Sequence, residues 1–304
     1  MPPKAEGAGP AGILVVDKPA GFTSFDVVAK LRGICGTRKI GHGGTLDPMA
    51  TGVLPVFVGA AAKAVDLAPR QDKTYEATLL FGLATDTGDI TGAALEQADV
   101  TVTEAMLAAA LPAFVGPQEQ LPPMYSAVKI DGKPLYKYAR EGKTIERKPR
   151  PVTIFSLDYL GTDGENRFRL RAHCSKGTYM RTLAEDIGKA LGVPATLAAL
   201  RRTAAGVFTL EQAHTLQAIQ QAKDTGALAG LYQPIGRLFD DWPRLEVDDT
   251  ALHRLLNGAA VRGVQAEPGR YALYAGQAFA GLGRVAQPGT LQAEKMFYPE
   301  IRPK

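Results

Sequence analysis

The chain lacks any apolar run of the length that a bilayer demands. Across its 304 residues the apolar stretches are short and broken by glycine, proline or charge, and none approaches the roughly 20 residues of a membrane-spanning helix. A secretion signal is missing too: residues 1–10 are rich in Pro, Gly and Ala without an apolar centre and read as a disordered tail. Cysteine is scarce. Cys35 and Cys174 lie far apart without paired spacing, which argues against a disulfide framework or a zinc site and fits a reducing cytoplasm. No phosphate-binding loop of the Gly-x4-Gly-Lys-Ser/Thr kind occurs, and no solenoid period is visible. The net charge of +4 is too small to announce a polyanionic partner by itself. What remains is 45% hydrophobic and 22% charged, the balance of a globular protein with a real core, long enough for two domains or one large one.

The periodicity predicts a mixture of strands and helices. Residues 12–16 read as a buried strand, and Thr23 or Ser24 can cap a helix whose apolar face is Val27, Val28 and Leu31. A short helix is expected over 61–67. Residues 75–81 alternate as a strand with Tyr75, Ala77, Leu79 and Phe81 on one face. Thr101 and Glu104 have the spacing of a capping box. Strands are expected over 126–130, closed by the turn Asp131-Gly132, and over 152–160 and 167–174. A strong helix spans 178–191, with Gly192 as its cap. Strands and helices follow no regular βαβ rhythm, so the expected fold is α+β: a mostly antiparallel mixed sheet with flanking helices. The composition changes near Asp240-Asp241-Trp242-Pro243. Beyond it lie one helix, 248–256, and short strands at 271–274, 278–285 and 295–298. The expected organisation is therefore a tail, 1–10, a main domain, 11–243, and a small β-rich module, 244–304.

Two segments stand out chemically. Lys137, Arg140, Lys143, Arg147, Lys148 and Arg150 outnumber Glu141 and Glu146, with Tyr136 and Tyr138 at the start of the run. This reads equally as a phosphate-gripping patch or as a solvated charged loop. Residues 41–55 read Gly-His-Gly-Gly-Thr-Leu-Asp-Pro-Met-Ala-Thr-Gly-Val-Leu-Pro. One carboxylate and one imidazole sit among glycines, prolines, hydroxyls and apolar residues. Asp before Pro often starts a turn. Here Pro48 also biases Asp47 towards extended angles, and the loop runs on into an apolar strand, a sound platform for a functional group.

The loop resembles the catalytic motif of the tRNA pseudouridine-55 synthase family of uridine isomerases. Four further motifs support the resemblance over roughly residues 12–210: Val16-Asp17-Lys18-Pro19-Ala20-Gly21 with Thr23-Ser24; Lys73-Thr74-Tyr75; Pro123-Met124-Tyr125-Ser126-Ala127-Val128-Lys129; and Cys174-Ser175-Lys176-Gly177-Thr178-Tyr179-Met180-Arg181-Thr182-Leu183. Gly43-Gly44-Thr45 departs from the small residues common in relatives without touching the acid. The resemblance implies a pseudouridine synthase fold with a PUA-type RNA-binding module at the C-terminus, and Asp47 as nucleophile. It implies Arg181 as the cation holding that carboxylate, although on its own Arg181 reads as a surface helix residue. Tyr75, otherwise a core aromatic, would lie against the target base with its hydroxyl near the reacting carbon. Tyr179 and Leu200 would wall the pocket. His42 would contact the substrate or fill the space left by the extruded nucleotide. Lys18 and Lys129 would support the loop or bind phosphate, and Asp89, otherwise a turn acid, would make a polar contact in the pocket.

The implied reaction breaks a glycosidic bond, turns the base and rejoins it through C5. It needs neither metal nor cofactor. Attack at C6, attack at C1′ and a glycal route use the same residues. The implied partner is the T arm of tRNA, recognised in the cytoplasm by a monomer without guide RNA or membrane, with an accessory role in tRNA folding. A non-catalytic RNA-binding module, a hydrolase or phosphotransferase using Asp47 covalently, and a guide-dependent synthase are the competing readings. The set Asp47, Tyr75 and Arg181 disfavours the first, and the absence of a second acidic cluster disfavours the second. The short chain without long charged extensions disfavours the third.

Overall fold

The computed structural model describes residues 11–287 and 289–297. The expected tail and Tyr298 lie outside the described residues. The chain opens with β1 (Gly12–Lys18) and α1 (Ser24–Cys35). Thr23 caps that helix with a reciprocal bond to Asp26, and Gly36 ends it at φ 62°. Then come β2 (Ile40–His42) and β3 (Thr51–Val58). The helix expected over 61–67 is instead a short 3-10 segment, Gly59–Ala64. It is followed by β4 (Lys73–Phe81) and the hairpin β5 (Leu83–Thr85) and β6 (Ala94–Gln97).

The helix α2 (Glu104–Ala110) is capped by Thr103, not Thr101, because the Thr103 hydroxyl accepts from the Met106 amide. After β7 (Gly116–Gln120), the strand expected over 126–130 shrinks to β8 (Lys129–Ile130), paired with β9 (Lys133–Pro134). The turn between them is as expected: Asp131 at φ 50° and Gly132 at φ 77°. Next are α3 (Leu135–Arg140), β10 (Arg150–Thr162), β11 (Arg167–Cys174) and α4 (Met180–Leu191), which Gly192 ends at φ 72°. An unexpected strand, β12 (Ala195–Ala205), precedes β13 (Phe208–Thr209) and α5 (Leu216–Asp224). The C-terminal elements are β14 (Arg244–Glu246), α6 (Asp249–Leu256), β15 (Val261–Arg262), β16 (Gly269–Ala275), β17 (Ala278–Gln287) and β18 (Thr290–Met296).

The large sheet has the order β1-β3-β12-β4-β11-β10-β7, with β2 on β3 and β13 on β12. Every pair is antiparallel except β12 with β3. One face lies under α1, α4 and α5: Leu54, Val56, Ala77, Leu79 and Leu170 pack on Val28, Leu31, Leu183, Ile187 and Ile219. The alternation of β11 sends Phe168, Leu170, Ala172 and Cys174 into this core while Arg169 and Arg171 stay exposed. At the β1–β3 end the opposite face is covered as well. There Ile13, Val15, Val53 and Phe57 share an apolar cluster with Phe239, Ala272, Leu282 and Phe297. The last three belong to the C-terminal part, whose sheet has the order β14-β16-β17-β18-β15. Burial on both faces explains why residues 12–16 read as a continuous apolar run rather than an alternating one.

Candidate active site

The loop 43–50 joins β2 to β3, and several bonds fix it from inside. The buried Ser24 hydroxyl accepts from the Leu46 amide at 2.9 Å and sits 3.3 Å from the Leu46 carbonyl. The Gly21 amide donates to the Pro48 carbonyl at 2.8 Å, and the Ala50 amide closes a turn on the Asp47 carbonyl at 3.1 Å. Lys18 is fully buried and donates to the carbonyls of Pro19, Phe22 and Pro48 at 2.9, 2.6 and 3.3 Å. Burial lowers its ammonium to about 8, while the nearby Asp47 carboxylate pulls it upward. All three of its acceptors are backbone carbonyls, and Lys18 does not line the pocket.

Asp47 projects from this loop onto Arg181, in the first turn of α4. The Arg181 Nε is 2.9 Å from Asp47 Oδ2, and Nη2 donates to Oδ1 at 3.1 Å. The same guanidinium donates through Nη1 to the Thr87 carbonyl and through Nη2 to the Tyr125 carbonyl, both at 2.8 Å. Arg181 is therefore buried at the meeting point of the aspartate loop, the 85–91 loop and the 121–128 segment, not on the helix surface. Burial pushes the Asp47 carboxyl above the ordinary carboxylate range, and Arg181 draws it back down. Two guanidinium N–H groups hold the carboxyl in one orientation, and 29% of its side chain is exposed.

The carboxylate opens into a cavity of about 460 Å³. His42, Tyr75, Tyr179 and Leu200 all line it together with Asp47 and Arg181. Tyr75 is buried on β4, and burial raises its phenol while the Arg202 guanidinium opposes the shift. Tyr179 caps α4. Its amide donates to the buried Gln120 Oε1 at 2.9 Å, and Gln120 Nε2 donates back to its carbonyl at 3.3 Å. Burial pushes the His42 imidazole below its ordinary range, and a backbone hydrogen bond at Gly44 opposes the shift.

Three expected site residues are not in the lining: Lys18, Asp89 and Lys129. The buried Asp89 carboxylate accepts from the Thr91 amide and from the Thr87 and Thr91 hydroxyls, organising its own turn. That turn presents the Thr87 carbonyl to Arg181, so Asp89 acts on the site from behind. Lys129 is exposed on the β8–β9 hairpin. Three residues of the region went unassigned from sequence: Gln120, Lys73 and Arg202. Lys73 lines the cavity and donates to the Gln71 carbonyl; burial lowers its ammonium to about 8. Its place in Lys73-Thr74-Tyr75 was the signal that pointed to it. Arg202 is almost wholly buried beneath the aspartate loop and also lines the cavity; no motif of the sequence pointed to it.

Comparisons with known proteins agree with one another on the family. Residues 32–180 match the family model described as TruB family pseudouridylate synthase (N terminal domain), and residues 181–239 match that of the tRNA pseudouridylate synthase B C-terminal domain. The chain is 45% identical over 285 residues to tRNA pseudouridine synthase B of Aromatoleum aromaticum, covering 94% of this chain and 92% of that one. It is 44% identical over 295 residues to the protein of the same name from Pseudomonas putida, covering 95% and 96%. Among solved structures it resembles one of a Cbf5–Nop10–Gar1 complex, at a TM-score of 0.72 and 27% identity over 95% of this chain and 85% of that one. It also resembles one of an H/ACA RNP bound to a substrate RNA containing 2′-deoxyuridine, at a TM-score of 0.73 and 25% identity over 95% and 86%.

Proposed function

The chain belongs to the TruB pseudouridylate synthase family, whose reaction turns uridine into pseudouridine in tRNA, and we propose that its target is uridine 55 of the T arm, with Asp47 as the nucleophile. The fold is that of the family, α+β with a β-rich, PUA-like C-terminal sheet. The observation that carries the residue assignment is the two-point ion pair between Arg181 and Asp47 at the mouth of a cavity walled by aromatic rings.

The geometry suits the chemistry. A target base stacked in the T loop must first be extruded. Tyr75 offers its ring as a stacking platform, and such contacts recover about 1–3 kcal/mol per base. His42, neutral and at the cavity wall, fills space beside the extruded nucleotide. Tyr179 and Leu200 confine the base so that it can turn without leaving. Asp47, ionised and oriented by Arg181, supplies the electron pair, while the N1–C1′ bond breaks and a C5–C1′ bond forms. The C5 proton must then depart and N1 must gain one. The Tyr75 hydroxyl serves this last exchange, directly or through water. Lys129, exposed on its hairpin, is left for RNA phosphate.

The wider reading follows. Residues 11–243 form the catalytic domain behind the tail 1–10, and 244–304 form the RNA-binding module. The protein acts as a monomer in the cytoplasm without guide RNA. Support for a stand-alone enzyme comes from relatives named for tRNA at 44–45% identity over nearly their full length. The test is incubation of the protein alone with an unmodified tRNA transcript, followed by mapping of pseudouridine. Conversion confined to position 55 is expected. Conversion elsewhere, or only when a second RNA is added, overturns the assignment of target or of independence.

A further inference from the structure

Arg202 is 1% exposed, and among the described residues no carboxylate pairs with it. Its Nε donates to the Val53 carbonyl at 2.7 Å, its Nη2 to the Gly44 carbonyl at 3.1 Å and its Nη1 to the Thr45 carbonyl at 3.4 Å. These acceptors lie on both legs of the loop that carries Asp47. One planar group therefore ties the strand leaving the loop to the loop's first residues. Its position comes from the sheet. The parallel pairing of β12 with β3 sets Arg202 opposite Gly52, and the pairing with β4 sets it opposite Tyr75. Gly52, at φ 101°, has no side chain where one would overlap the Arg202 backbone, so the two chains approach closely enough for the guanidinium to reach under the loop.

This arrangement is costly for the fold. A buried cation without an ion partner is destabilising relative to an apolar side chain of similar volume. Two further cations, Lys18 and Lys73, bear on it electrostatically. Among the described residues its hydrogen-bond acceptors are carbonyls of the loop and its exit strand, and the Tyr75 phenol also interacts with it. An apolar residue could fill the same space but could not join the two legs.

We infer that Arg202 is a positioning residue, which holds the loop closed so that Asp47 faces both Arg181 and the target base. The inference rests on the reading of Asp47 as nucleophile. Arg202 also lines the cavity beside Tyr75, but its three donor bonds run to the loop and its exit strand, and we place its action there. Its removal should therefore reduce turnover at saturation more than RNA affinity, since a misplacement of about 1 Å can cost on the order of 100-fold in rate.

The test compares wild type, Arg202→Met, Arg202→Lys and Asp47→Asn in the full-length protein. Single-turnover conversion at saturating tRNA transcript is measured together with the tRNA dissociation constant. Arg202→Met should lose about 100-fold in rate with a dissociation constant within about twofold of wild type. Arg202→Lys keeps the charge but cannot reach both legs at once, and should fall between the two. Where Arg202→Met does not fold, Arg202→Lys carries the test. Full turnover in either folded variant, or weaker binding with unchanged saturating rate, overturns the inference. An active Asp47→Asn would instead overturn the reading of the nucleophile, so the two failures are distinct.

Discussion

Asp47 is the residue proposed as the nucleophile. Asp47→Asn keeps the shape of the side chain and removes the charge proposed to attack. Turnover should fall on the order of 10⁴-fold or more, as for loss of other covalent nucleophiles, while tRNA still binds. Residual turnover above that level, with deamidation excluded by mass, would sink the assignment. Tyr75→Phe separates the two roles of that ring. The platform stays and the hydroxyl goes, so the saturating rate should drop roughly 100-fold, the scale of general acid–base help, with little change in affinity. A wild-type rate in this variant would leave Tyr75 as a stacking surface only. The ion pair predicts a pH effect whose sign can be worked out. Burial raises the Asp47 carboxyl and Arg181 lowers it. The form proposed to attack is the ion, so the rate should fall on the acid side as the carboxylate takes up its proton. Arg181→Gln removes the lowering influence, the carboxyl rises further, and the acid limb of the rate should move to higher pH. An acid limb left in place in the folded variant would show that some other group controls it.

At the scale of elements, the crossing of β3 and β12 holds the site together. Gly52 sits there at φ 101°, and a Cβ would overlap the Arg202 carbonyl. Gly52→Ala should cost at least about 1–3 kcal/mol, the range for such backbone strain. The midpoint of denaturant unfolding should fall with its slope unchanged. An unshifted midpoint would mean that the strands part without cost. The same crossing marks where sequence reasoning ran out. β4 and β11 were legible because one face of each meets helices and the other meets water, so apolar and polar residues alternate. β12 was not. Ala-Thr-Leu-Ala-Ala-Leu at its start is built of good helix formers, and only pairing on both edges makes it a strand. Leu200 was placed by resemblance alone. Arg202, two positions on, carried no local sign of burial. Asp47, Tyr75 and Arg181, named through the family resemblance, line one cavity. Lys18 and Asp89 were named in the same way, but their hydrogen bonds go to backbone and neighbouring hydroxyls, which spacing could not reveal.

At the scale of the molecule, the C-terminal sheet does more than follow the main one. Ala272, Leu282 and Phe297 share an apolar cluster with Ile13, Val15, Val53 and Phe57 from β1 and β3. Phe279 stacks on Phe239 at 5.6 Å and on Phe297 at 5.8 Å. Cutting the chain after Trp242 would bare this cluster on the very strands that hold the Asp47 loop, at about 25 cal/mol for each Å² of apolar surface exposed. Weaker binding or lost turnover in such a fragment would then report unfolding as readily as a missing RNA contact. The division of labour between chemistry and RNA grip is better tested in the full chain. Arg262 is exposed on β15, at a shallow depression that Asp248, Thr250 and Arg254 also line. It is far in sequence from every residue assigned to the chemistry. A phosphate contact there would release a counterion on binding. Arg262→Gln should weaken tRNA binding, lower the slope of log affinity against log salt by about 1, and leave conversion at saturating tRNA at the wild-type rate. An unchanged affinity and slope would remove Arg262 from the RNA-binding surface. A slower saturating rate with the slope unchanged would mean that this sheet serves the active site by supporting β1 and β3, and not by holding RNA.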